Sequence, residues 1–544
     1  MQCLRSFSVR PRSFNIYTRP FIYLRQFRGL SMKSNENRAT LPLDPHSYTQ
    51  GHWLDQDSER KEARQIHFDF DALLDIVIKS SEGAHRVVSC EKTEGGFNRA
   101  FIILLDNGAK AVARLPNHLA GPPHLTVSSE VATLQYVREK TNVPVPKILA
   151  WSAEAETNSV GAEYMVMEAA PGVPLNDLWG QMTNLQHIEC IESIGRITKE
   201  LCSLKFANFG SLYFNGLDRP VGAVPLDEKY CIGPNCARQH WGYGQVKHTQ
   251  STVLEGRQGP WYDIAAYFAD LTQIARSSVE RKGQGESVDD HLRLLDINQS
   301  TLEAIRDVEA VKAASKPVLL HPDFHTRNIF VNPSNPTQVT GIIDWQSAAI
   351  EPAFVNAAEI PDFAQELPHD KTLDANCGAE MDAAQANTQR CARTWAVMVH
   401  LCPKLGEAAL VLDPLLCRYM AAPSFGWLDD MISVRSLLTD LSQQWERLGL
   451  PGRSLYQPSQ ADLQDLSVML DELESAQRLR SYLARLLRCE TDGWVSAERW
   501  EEVLPIYREQ YGQFVDACIA SREEGESQAV AVEKAQRLWP FDLR

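Results

Sequence analysis

One short stretch is the strongest indicator of the fold of this chain of 544 residues. It reads His321-Pro322-Asp323-Phe324-His325-Thr326-Arg327-Asn328-Ile329-Phe330-Val331. A polar loop runs into an apolar run, and a turn signal follows at Asn332-Pro333. A second apolar run then ends in an acid, in Thr340-Gly341-Ile342-Ile343-Asp344-Trp345. Two apolar runs that flank a turn are typical of a β-hairpin. The pattern therefore predicts a hairpin that brings three polar side chains to one edge: Asp323, Asn328 and Asp344.

These three side chains are of the types that phosphoryl transfer from ATP requires. One carboxylate must accept the proton of the acceptor hydroxyl, and an amide oxygen and a second carboxylate must hold Mg²⁺ against the phosphates. The H-x-D-x4-N spacing is that of kinase catalytic loops. This favours Asp323 as the catalytic base and predicts Asn328 and Asp344 as metal ligands. The alternative is a surface hairpin whose Asp and Asn side chains only form turns.

The aromatic side chains of the stretch have predicted roles of their own. We place His321 in the catalytic site beside Asp323, but expect its ring mainly to tie the loop to a backbone carbonyl or to Asp344. His325 is expected at the phosphate end of a cleft. Trp345 is expected to pack the loop that follows Asp344.

The stretch resembles the aminoglycoside phosphotransferase and choline-kinase-like group, whose sequences run H-x-D-x-x-x-x-N and then I-D-W. Upstream segments make the chain similar to the fungal altered inheritance of mitochondria protein nine family. These segments are Glu94-Gly95-Gly96-Phe97-Asn98, Asp106-Asn107-Gly108, Ala113-Arg114-Leu115-Pro116, Ala120-Gly121-Pro122-Pro123-His124, Ser129-Glu130-Val131-Ala132-Thr133, Gly161-Ala162-Glu163-Tyr164 and Met167-Glu168. The resemblance covers roughly residues 65–440. It implies an α+β, two-lobed protein-kinase-like fold, with a small β-rich N-lobe and a large helical C-lobe.

Apolar periodicity along the chain predicts the same order of elements. It indicates a helix over His67–Ser80 and strands over Val87–Glu91, Arg99–Leu105, Lys110–Leu115, Val145–Trp151 and Glu163–Glu168. Ser128 and Ser129 are expected to cap a helix that runs to about Thr141. After Pro171-Gly172 the chain is predicted to be mostly helical, except for an island at residues 318–350. We therefore expect a polar extension over 32–64, a nucleotide-binding N-lobe over 65–170 and a C-lobe over 171–544.

The resemblance also implies a nucleotide site in the N-lobe. The backbone at Gly95 and Gly96 would close over the phosphates, although a plain Gly-Gly hairpin turn is the alternative. Arg114 stands where kinases carry a lysine, and Glu130 is its expected partner, unless Glu130 is a surface acid in a first helical turn. Met167 and Glu168 would form the hinge, whose backbone would bond the adenine edge, while a core role is the alternative for the Met167 side chain.

The charge of the chain is uneven. The net charge is −16, so no broad basic face is offered to a nucleic acid. Residues 1–35 nevertheless contain six arginines and no acid. Such a composition is typical of a mitochondrial transit peptide, and we expect cleavage before Ser31 and contact with the import machinery. A disordered basic tail, or a start at Met32, is the alternative. The sequence contains no run of 18 apolar residues, so no transmembrane helix is predicted.

The cysteines show no regular spacing, which predicts reduced thiols. Cys231, Cys236 and His240, with His248 beyond, have a loose zinc-like spacing, but ordinary loop thiols are favoured over a metal site. Acids that follow the catalytic stretch, namely Glu359, Asp362 and Glu366, are candidates for a cationic acceptor site, or simply a solvated face.

Three hypotheses for function remain open. The first is an ATP- and Mg²⁺-dependent kinase that acts on the hydroxyl of a small molecule in mitochondria. The second is a nucleotide-binding pseudokinase or scaffold for mitochondrial maintenance, which Arg114 in the lysine position keeps open. The third is a protein kinase, which is disfavoured because no Ala-Pro-Glu segment closes an activation loop.

Overall fold

The structure, a computed structural model, describes residues 41–42, 44–216, 219–241, 258–357, 359–365, 378–522 and 525–541. The predicted import segment, residues 1–31, lies outside the described residues, as do His248 and Glu366. The strands are β1 (Gly51–Trp53), β2 (Val87–Glu94), β3 (Asn98–Leu105), β4 (Lys110–Pro116), β5 (Ile148–Ser152), β6 (Tyr164–Glu168), β7 (Val173–Pro174), β8 (Ser211–Phe214), β9 (Val224–Pro225), β10 (Tyr230–Gly233), β11 (Pro317–Leu319), β12 (Ile329–Asn332), β13 (Asn335–Ile342), β14 (Ile350–Pro352) and β15 (Trp494–Ser496).

The α-helices of the described ranges account for most of the second half of the chain. They are α1 (Asp57–Glu62), α2 (Phe70–Ser80), α3 (Leu125–Lys140), α4 (Leu175–Trp179), α5 (Asn184–Cys202), α6 (Ile264–Glu280), α7 (Glu286–Ile305), α8 (Glu309–Ala314), α9 (Ala353–Ala357), α10 (Gly378–His400), α11 (Leu405–Val411), α12 (Pro414–Ala421), α13 (Met431–Gln444), α14 (Gln460–Leu487), α15 (Trp500–Ala520) and α16 (Gln528–Leu538).

The N-lobe is a five-stranded antiparallel sheet of order β2-β3-β4-β6-β5. Every second residue of β3 is buried, which gives the strand one apolar face. That face packs on the buried side chains of α2, including Leu73 and Val77. The turn between β3 and β4 has Gly108 at a φ of 82°, a conformation that favours glycine. The predicted α+β, two-lobed kinase-like fold with a β-rich N-lobe and a helical C-lobe is confirmed.

The helix α3 lies between the two lobes. Its buried residues Val131, Leu134 and Val137 share a hydrophobic cluster with Met167 of the N-lobe and Trp345 of the C-lobe. The helix begins at Leu125, so the prediction that Ser128 and Ser129 cap it was wrong. Pro122 and Pro123 precede the helix, and the Thr126 hydroxyl donates to the Pro122 carbonyl at 2.8 Å, which starts it one turn earlier.

The predicted catalytic hairpin is present. β12 and β13 pair antiparallel, with Ile329 opposite Ile342 and Asn332 opposite Asn335 across the turn. A third strand, β7, joins β12 directly after the lobe linker. Gly172 in that linker has a φ of 95°, and a Cβ there would lie 2.2 Å from the Val331 carbonyl oxygen, so only glycine fits.

Most of the described residues after 171 and outside 318–350 are helical, as predicted, but residues 211–233 contain strands that were not predicted. There β8, β10 and β9 form a small antiparallel sheet. The Cys231 thiol in β10 donates to the Phe214 carbonyl at 3.4 Å, and the Cys236 sulfur lies 3.4 Å from the Ser211 hydroxyl. Within the described ranges, no three His, Cys, Asp or Glu side chains are grouped so as to hold a metal ion.

The residues after 459 form a unit with its own core. Leu479, Leu483 and Leu487 of α14 pack with Val503 and other side chains of α15 and α16. Leu54 of the N-terminal extension is fully buried in the same core, and β1 pairs antiparallel with β15. No helix in the described part of the chain is long and apolar enough to cross a bilayer.

Candidate active site

His321 anchors the catalytic loop from behind. Its Nδ1 accepts the Asp323 backbone N–H at 3.1 Å, so Nε2 carries the proton and donates to the Ile343 carbonyl at 2.8 Å. The ring is buried edge-on against Trp345, with 4.9 Å between ring centroids. Burial lowers the pKa of His321, which favours the neutral ring. The ring joins the loop to the end of β13 through a backbone carbonyl, one of the two contacts that we expected.

Asp323 is held by three polar neighbours. Its Oδ2 accepts from Arg327 Nη2 at 2.6 Å and from Asn328 Nδ2 at 3.1 Å, and its Oδ1 lies 3.1 Å from His325 Nε2. Burial alone would raise the pKa of Asp323, but the hydrogen bond from His325 and the positive charge of Arg327 hold it well below its usual range. Asp323 is therefore an ionised carboxylate at neutral pH.

His325 links Asp323 to Asp362, a contact that the sequence did not predict. Its Nδ1 lies 3.5 Å from Asp362 Oδ1, and Asp362 Oδ2 also accepts the Thr326 hydroxyl at 2.6 Å. Burial disfavours charge on His325, but its bonds to the two acids outweigh this and raise its pKa to about 9. The imidazolium is thus clamped between two carboxylates. Asp362 fixes the catalytic loop rather than standing as an isolated surface acid.

Asn328 and Asp344 meet through the hairpin register. The Ile343 N–H donates to the Asn328 carbonyl at 3.0 Å, which places Asp344 one residue beyond that contact. Asn328 Nδ2 donates to both the carbonyl and the carboxylate of Asp323, which leaves its Oδ1 as the outward atom of the amide. Asp344 has a φ of 66°, an uncommon conformation for a residue other than glycine and one that clusters at functional sites.

The donor set of Asn328 and Asp344 fits Mg²⁺. Mg²⁺ prefers hard oxygen ligands, and it is usually held by one or two protein side chains together with substrate phosphates. An amide oxygen and a carboxylate at adjacent positions supply that number. Asp344 Oδ1 accepts from Arg114, and we find no bond to its Oδ2 from the described residues.

Arg114 bridges the lobes. It forms an ion pair through Nη2 with Glu130 of α3, and Nη1 donates to Asp344 Oδ1 at 3.0 Å. Nη2 also lies 3.4 Å from Gln346 Oε1. Burial raises the pKa of Glu130 to about 7, and the Arg114 guanidinium opposes this shift. The expected Arg114–Glu130 pair is present, and the contact to Asp344 adds a link from the N-lobe to the end of the hairpin.

The glycine hairpin and the hinge lie on the N-lobe side of the cleft. Gly95 N–H donates to the Asn98 carbonyl at 2.8 Å, which closes the turn between β2 and β3. At the hinge, the Glu168 N–H donates to the Lys147 carbonyl at 2.9 Å, and the Ala169 N–H donates to the Lys110 carbonyl at 3.1 Å. Those two donors are therefore already used and are not available to a base edge.

One cleft of about 1630 Å³ connects these parts. Eight of the ten predicted site residues line it: Gly95, Gly96, Arg114, Met167, Glu168, Asp323, Asn328 and Asp344. The other two, His321 and Glu130, are buried behind its wall. Glu359, Arg327 and His325 also line the cleft.

Comparisons with known proteins agree with this arrangement. Residues 93–358 match the phosphotransferase enzyme family (APH). A subtelomeric hrmA-associated cluster protein of Aspergillus fumigatus is 29% identical over 48% of this chain. The matched region spans only 58% of the length of that relative. Altered inheritance of mitochondria protein 9, mitochondrial, of Candida tropicalis is 23% identical over 77% of this chain and 80% of that protein.

Solved structures include the GDP and kanamycin complex of APH(2″)-IIia, which is 14% identical with a TM-score of 0.35, over 74% of this chain and 97% of that one. The family match includes the glycine hairpin, Arg114, Glu130, the hinge, the catalytic loop and Asp344. Residues 93–358 of this chain are thus similar to the phosphotransferase enzyme family.

Proposed function

We propose that this protein is an ATP- and Mg²⁺-dependent phosphotransferase that acts on the hydroxyl of a small molecule. The observation that carries the proposal is the joint position of Asp323, Asn328 and Asp344 on one cleft. Asn328 is bonded to Asp323 at 3.1 Å, and Asp344 is bonded to Arg114 at 3.0 Å. Phosphoryl transfer depends chiefly on positioning and on charge stabilisation, and this set of residues supplies both.

Each residue has a definite task in this proposal. Asp323 is ionised and accepts the proton of the acceptor hydroxyl. Asn328 and Asp344 would hold Mg²⁺, which supplies charge neutralisation at the phosphates when bound. Arg114, held by Glu130, points its guanidinium at the same region and can bind phosphate oxygens. His321, buried behind the loop, positions Asp323 through its backbone N–H.

A pseudokinase is the second candidate function, and one observation favours it. Arg114 replaces the usual lysine and is already bonded to two carboxylates, Glu130 and Asp344. A guanidinium engaged in this way has fewer donors left for a nucleotide. Against it, a protein that only binds nucleotide needs no catalytic base, yet Asp323 is present in the cleft and ionised, so we favour the enzyme.

Incubation of the purified chain with labelled ATP, Mg²⁺ and a mitochondrial metabolite extract tests the proposal. We expect label on a small molecule, and Asp323→Asn should lower the rate by about 10²–10⁴-fold, the usual contribution of a general base. Asp75→Asn, a change at an exposed acid of α2, is the matched control. Nucleotide binding without transfer would support the pseudokinase, and equal rates for Asp323→Asn and the wild type would refute the role of Asp323.

We propose a mitochondrial location for the protein. The acid-free, arginine-rich residues 1–35 support it, as do relatives named mitochondrial. The full chain fused at its C-terminus to a fluorescent protein should co-localise with mitochondria, and a version that lacks residues 1–31 should not. N-terminal sequencing of the imported protein is expected to begin at Ser31. A full-length chain that stays in the cytosol would contradict the proposal.

A further inference from the structure

Two segments outside the matched family region meet at the cleft. β1 of the N-terminal extension pairs with β15 of the C-terminal unit, and the Leu54 N–H donates to the Gly493 carbonyl at 3.0 Å. The Trp53 indole N–H donates to Asp492 Oδ2 at 2.9 Å, and Arg60 Nη1 lies 3.6 Å from the same oxygen. Arg60, Arg64 and Asp492 all line the cleft that contains Asp323.

Arg64 lies next to the glycine hairpin. Arg99 of β3 donates through Nη2 to the Arg64 carbonyl at 3.1 Å. The same guanidinium lies 3.4 Å, at Nε, from the carboxylate of Glu94, the residue directly before Gly95. The extension therefore reaches the part of the N-lobe that closes over the phosphates in the proposed function.

Arg64 is a buried cation without a carboxylate partner in the described part of the chain. The residue is only 6% exposed, and its guanidinium lies 4.4 Å from the centre of the Trp53 ring. Nη1 donates to the Arg60 carbonyl at 2.7 Å, while the buried Nε has no hydrogen-bond partner among the described residues. Asp492 acts on Arg64 through its charge, but its carboxylate accepts from the Trp53 indole and pairs with Arg60.

A guanidinium placed in this way is suited to an anion. Burial of an unpaired charge is unfavourable, and an oxyanion that accepts from its fork of donors removes that penalty. Arg60, whose side chain is 19% exposed, lies one helical turn away on the same wall, where it pairs with Asp55 at 3.4 Å and with Asp492 at 3.6 Å. Phosphoryl and carboxylate groups are the anions whose planar or tetrahedral oxygens match this fork.

We propose that Arg64 and Arg60 form an anion site in the cleft that binds a phosphoryl or carboxylate group. Two sources fit this chemistry, namely an acidic group on the acceptor and the terminal phosphate of the nucleotide. As a substrate site, the proposal rests on the proposed function. As an anion site, it does not depend on turnover.

Calorimetric titration of the full chain with inorganic phosphate, at low salt and without nucleotide, tests the site. Wild-type protein should bind, Arg64→Met should bind at least about tenfold more weakly because a charge-assisted pair is lost, and Arg60→Met should also bind more weakly. Lys61→Met removes a neighbouring cation that does not line the cleft, and it should bind like the wild type. The absence of wild-type binding, or equal binding by folded Arg64→Met, overturns the proposal.

If Arg64→Met does not fold, Arg64→Lys and Arg60→Met decide. Lysine keeps the charge but loses the fork, so binding should weaken, and wild-type affinity in both variants overturns the proposal. Titration in the presence of saturating Mg²⁺ with ADP, or with a non-hydrolysable ATP analogue, separates the sources. If phosphate still binds in the presence of the ATP analogue, the site binds an acidic group of the acceptor. If the ATP analogue displaces phosphate and ADP does not, the site binds the terminal phosphate of the nucleotide.

The titration also separates this proposal from the proposed function. If the wild type binds phosphate through Arg64 but transfers no label, the anion site is supported and the proposed function is refuted. If the wild type transfers label but Arg64→Met binds phosphate as tightly, the proposed function is supported and the anion site is refuted.

Discussion

Arg114 links the two lobes through ion pairs. It is 11% exposed as a side chain and forms ion pairs with Glu130 of the N-lobe helix and Asp344 of the hairpin. An arginine can serve two carboxylates at once because its donors form a rigid fork, whereas a lysine presents one ammonium. The bridge explains how a chain without the usual lysine can still orient α3 toward the end of β13.

Loss of Arg114 should therefore destabilise the protein. Arg114→Met leaves Glu130 buried without its cation, and we expect the free energy of unfolding to fall by about 3 kcal/mol. The double variant Arg114→Met, Glu130→Gln should be more stable than the single one, because no charge remains buried. Urea denaturation followed by tryptophan fluorescence measures both, with Arg453→Met at an exposed site as the control. Equal stability of Arg114→Met and the wild type would show that the bridge contributes nothing.

His325 should make stability depend on pH. Its pKa in the folded protein is raised to about 9, above the ordinary value of 6.5. A raised pKa means that its contribution is complete below pH ~6.5 and is lost as the pH rises through about 9. The difference in free energy of unfolding between the wild type and His325→Gln should thus shrink by up to about 3 kcal/mol over that range.

Urea denaturation at several values between pH 6 and pH 10 checks this. If the difference between the wild type and His325→Gln stays constant over this range, the imidazolium is not clamped by Asp323 and Asp362.

At this scale the sequence predicts contacts inside the motif but not those from outside it. The motif and the two apolar runs that follow it were enough to predict that Asp323, Asn328 and Asp344 lie on one side of a hairpin, and all three line one cleft. Asp362 reaches Thr326 across 36 residues, and no spacing rule connects them. An acid in that position is indistinguishable from a solvated acid until the chain is folded.

The glycine hairpin is an element fixed from outside its own sheet. Glu94, 6% exposed, accepts the N–H groups of Thr49 and Gln50 at 2.7 and 2.9 Å. It also pairs with Lys92 at 3.0 Å and Arg99 at 3.4 Å. A buried carboxylate with four donors is strongly held. The hairpin thus has a rigid base next to Gly95, although its tip faces the cleft.

Removal of that base should loosen the element. In Glu94→Ala, the amides of residues 49–50 lose their acceptor, and we expect faster hydrogen exchange in peptides that cover residues 47–52 and 93–99. Mass spectrometry of exchanged, digested protein measures this. Glu91→Ala, a change at an exposed residue of the same strand, should leave both peptides unchanged. Equal exchange of Glu94→Ala and the wild type would mean that the extension does not hold the hairpin.

Elements with strong local signals were predicted, and elements defined by their partners were not. Every second residue of β3 and of β4 is buried, and a turn at Gly108 joins the two strands, so their pattern is visible in the sequence. The strands β8, β9 and β10 are two to four residues long, too short for alternation to show. Helix α3 starts after a proline pair, and its serines, which otherwise favour caps, lie inside it.

At the scale of the whole molecule, the N-terminal extension around residues 48–54 and the C-terminal unit after residue 459 pack together on the kinase-like fold. Leu54 is fully buried among side chains of α14, α15 and α16, and Trp494 donates to the Tyr48 hydroxyl at 2.8 Å. These partners lie more than 400 residues apart in the sequence. Trp53 and Asp492, which join the same two segments, are 439 residues apart. No local pattern predicts such a pairing, and the sequence accordingly indicated only a polar extension.

Leu54→Ala tests the packing of the N-terminal extension against the C-terminal unit. A large-to-small change in a packed core is expected to lower the free energy of unfolding by about 3 kcal/mol. Limited proteolysis should then cut residues 459–541 faster than in the wild type. Leu455→Ala, at a side chain that is 52% exposed, should change stability by no more than about 0.5 kcal/mol. If Leu54→Ala and Leu455→Ala have the same free energy of unfolding and the same rate of proteolysis, Leu54 does not hold the N-terminal extension to the C-terminal unit.

If Asp323, Asn328 and Asp344 form one phosphoryl-transfer site, a crystal structure of the full chain with Mg²⁺ and a non-hydrolysable ATP analogue should show it. We predict a magnesium ion at about 2.0–2.1 Å from oxygens of Asn328 and Asp344, with the terminal phosphate between it and Asp323. A nucleotide bound outside the cleft, or a metal held by other residues, would contradict this assignment.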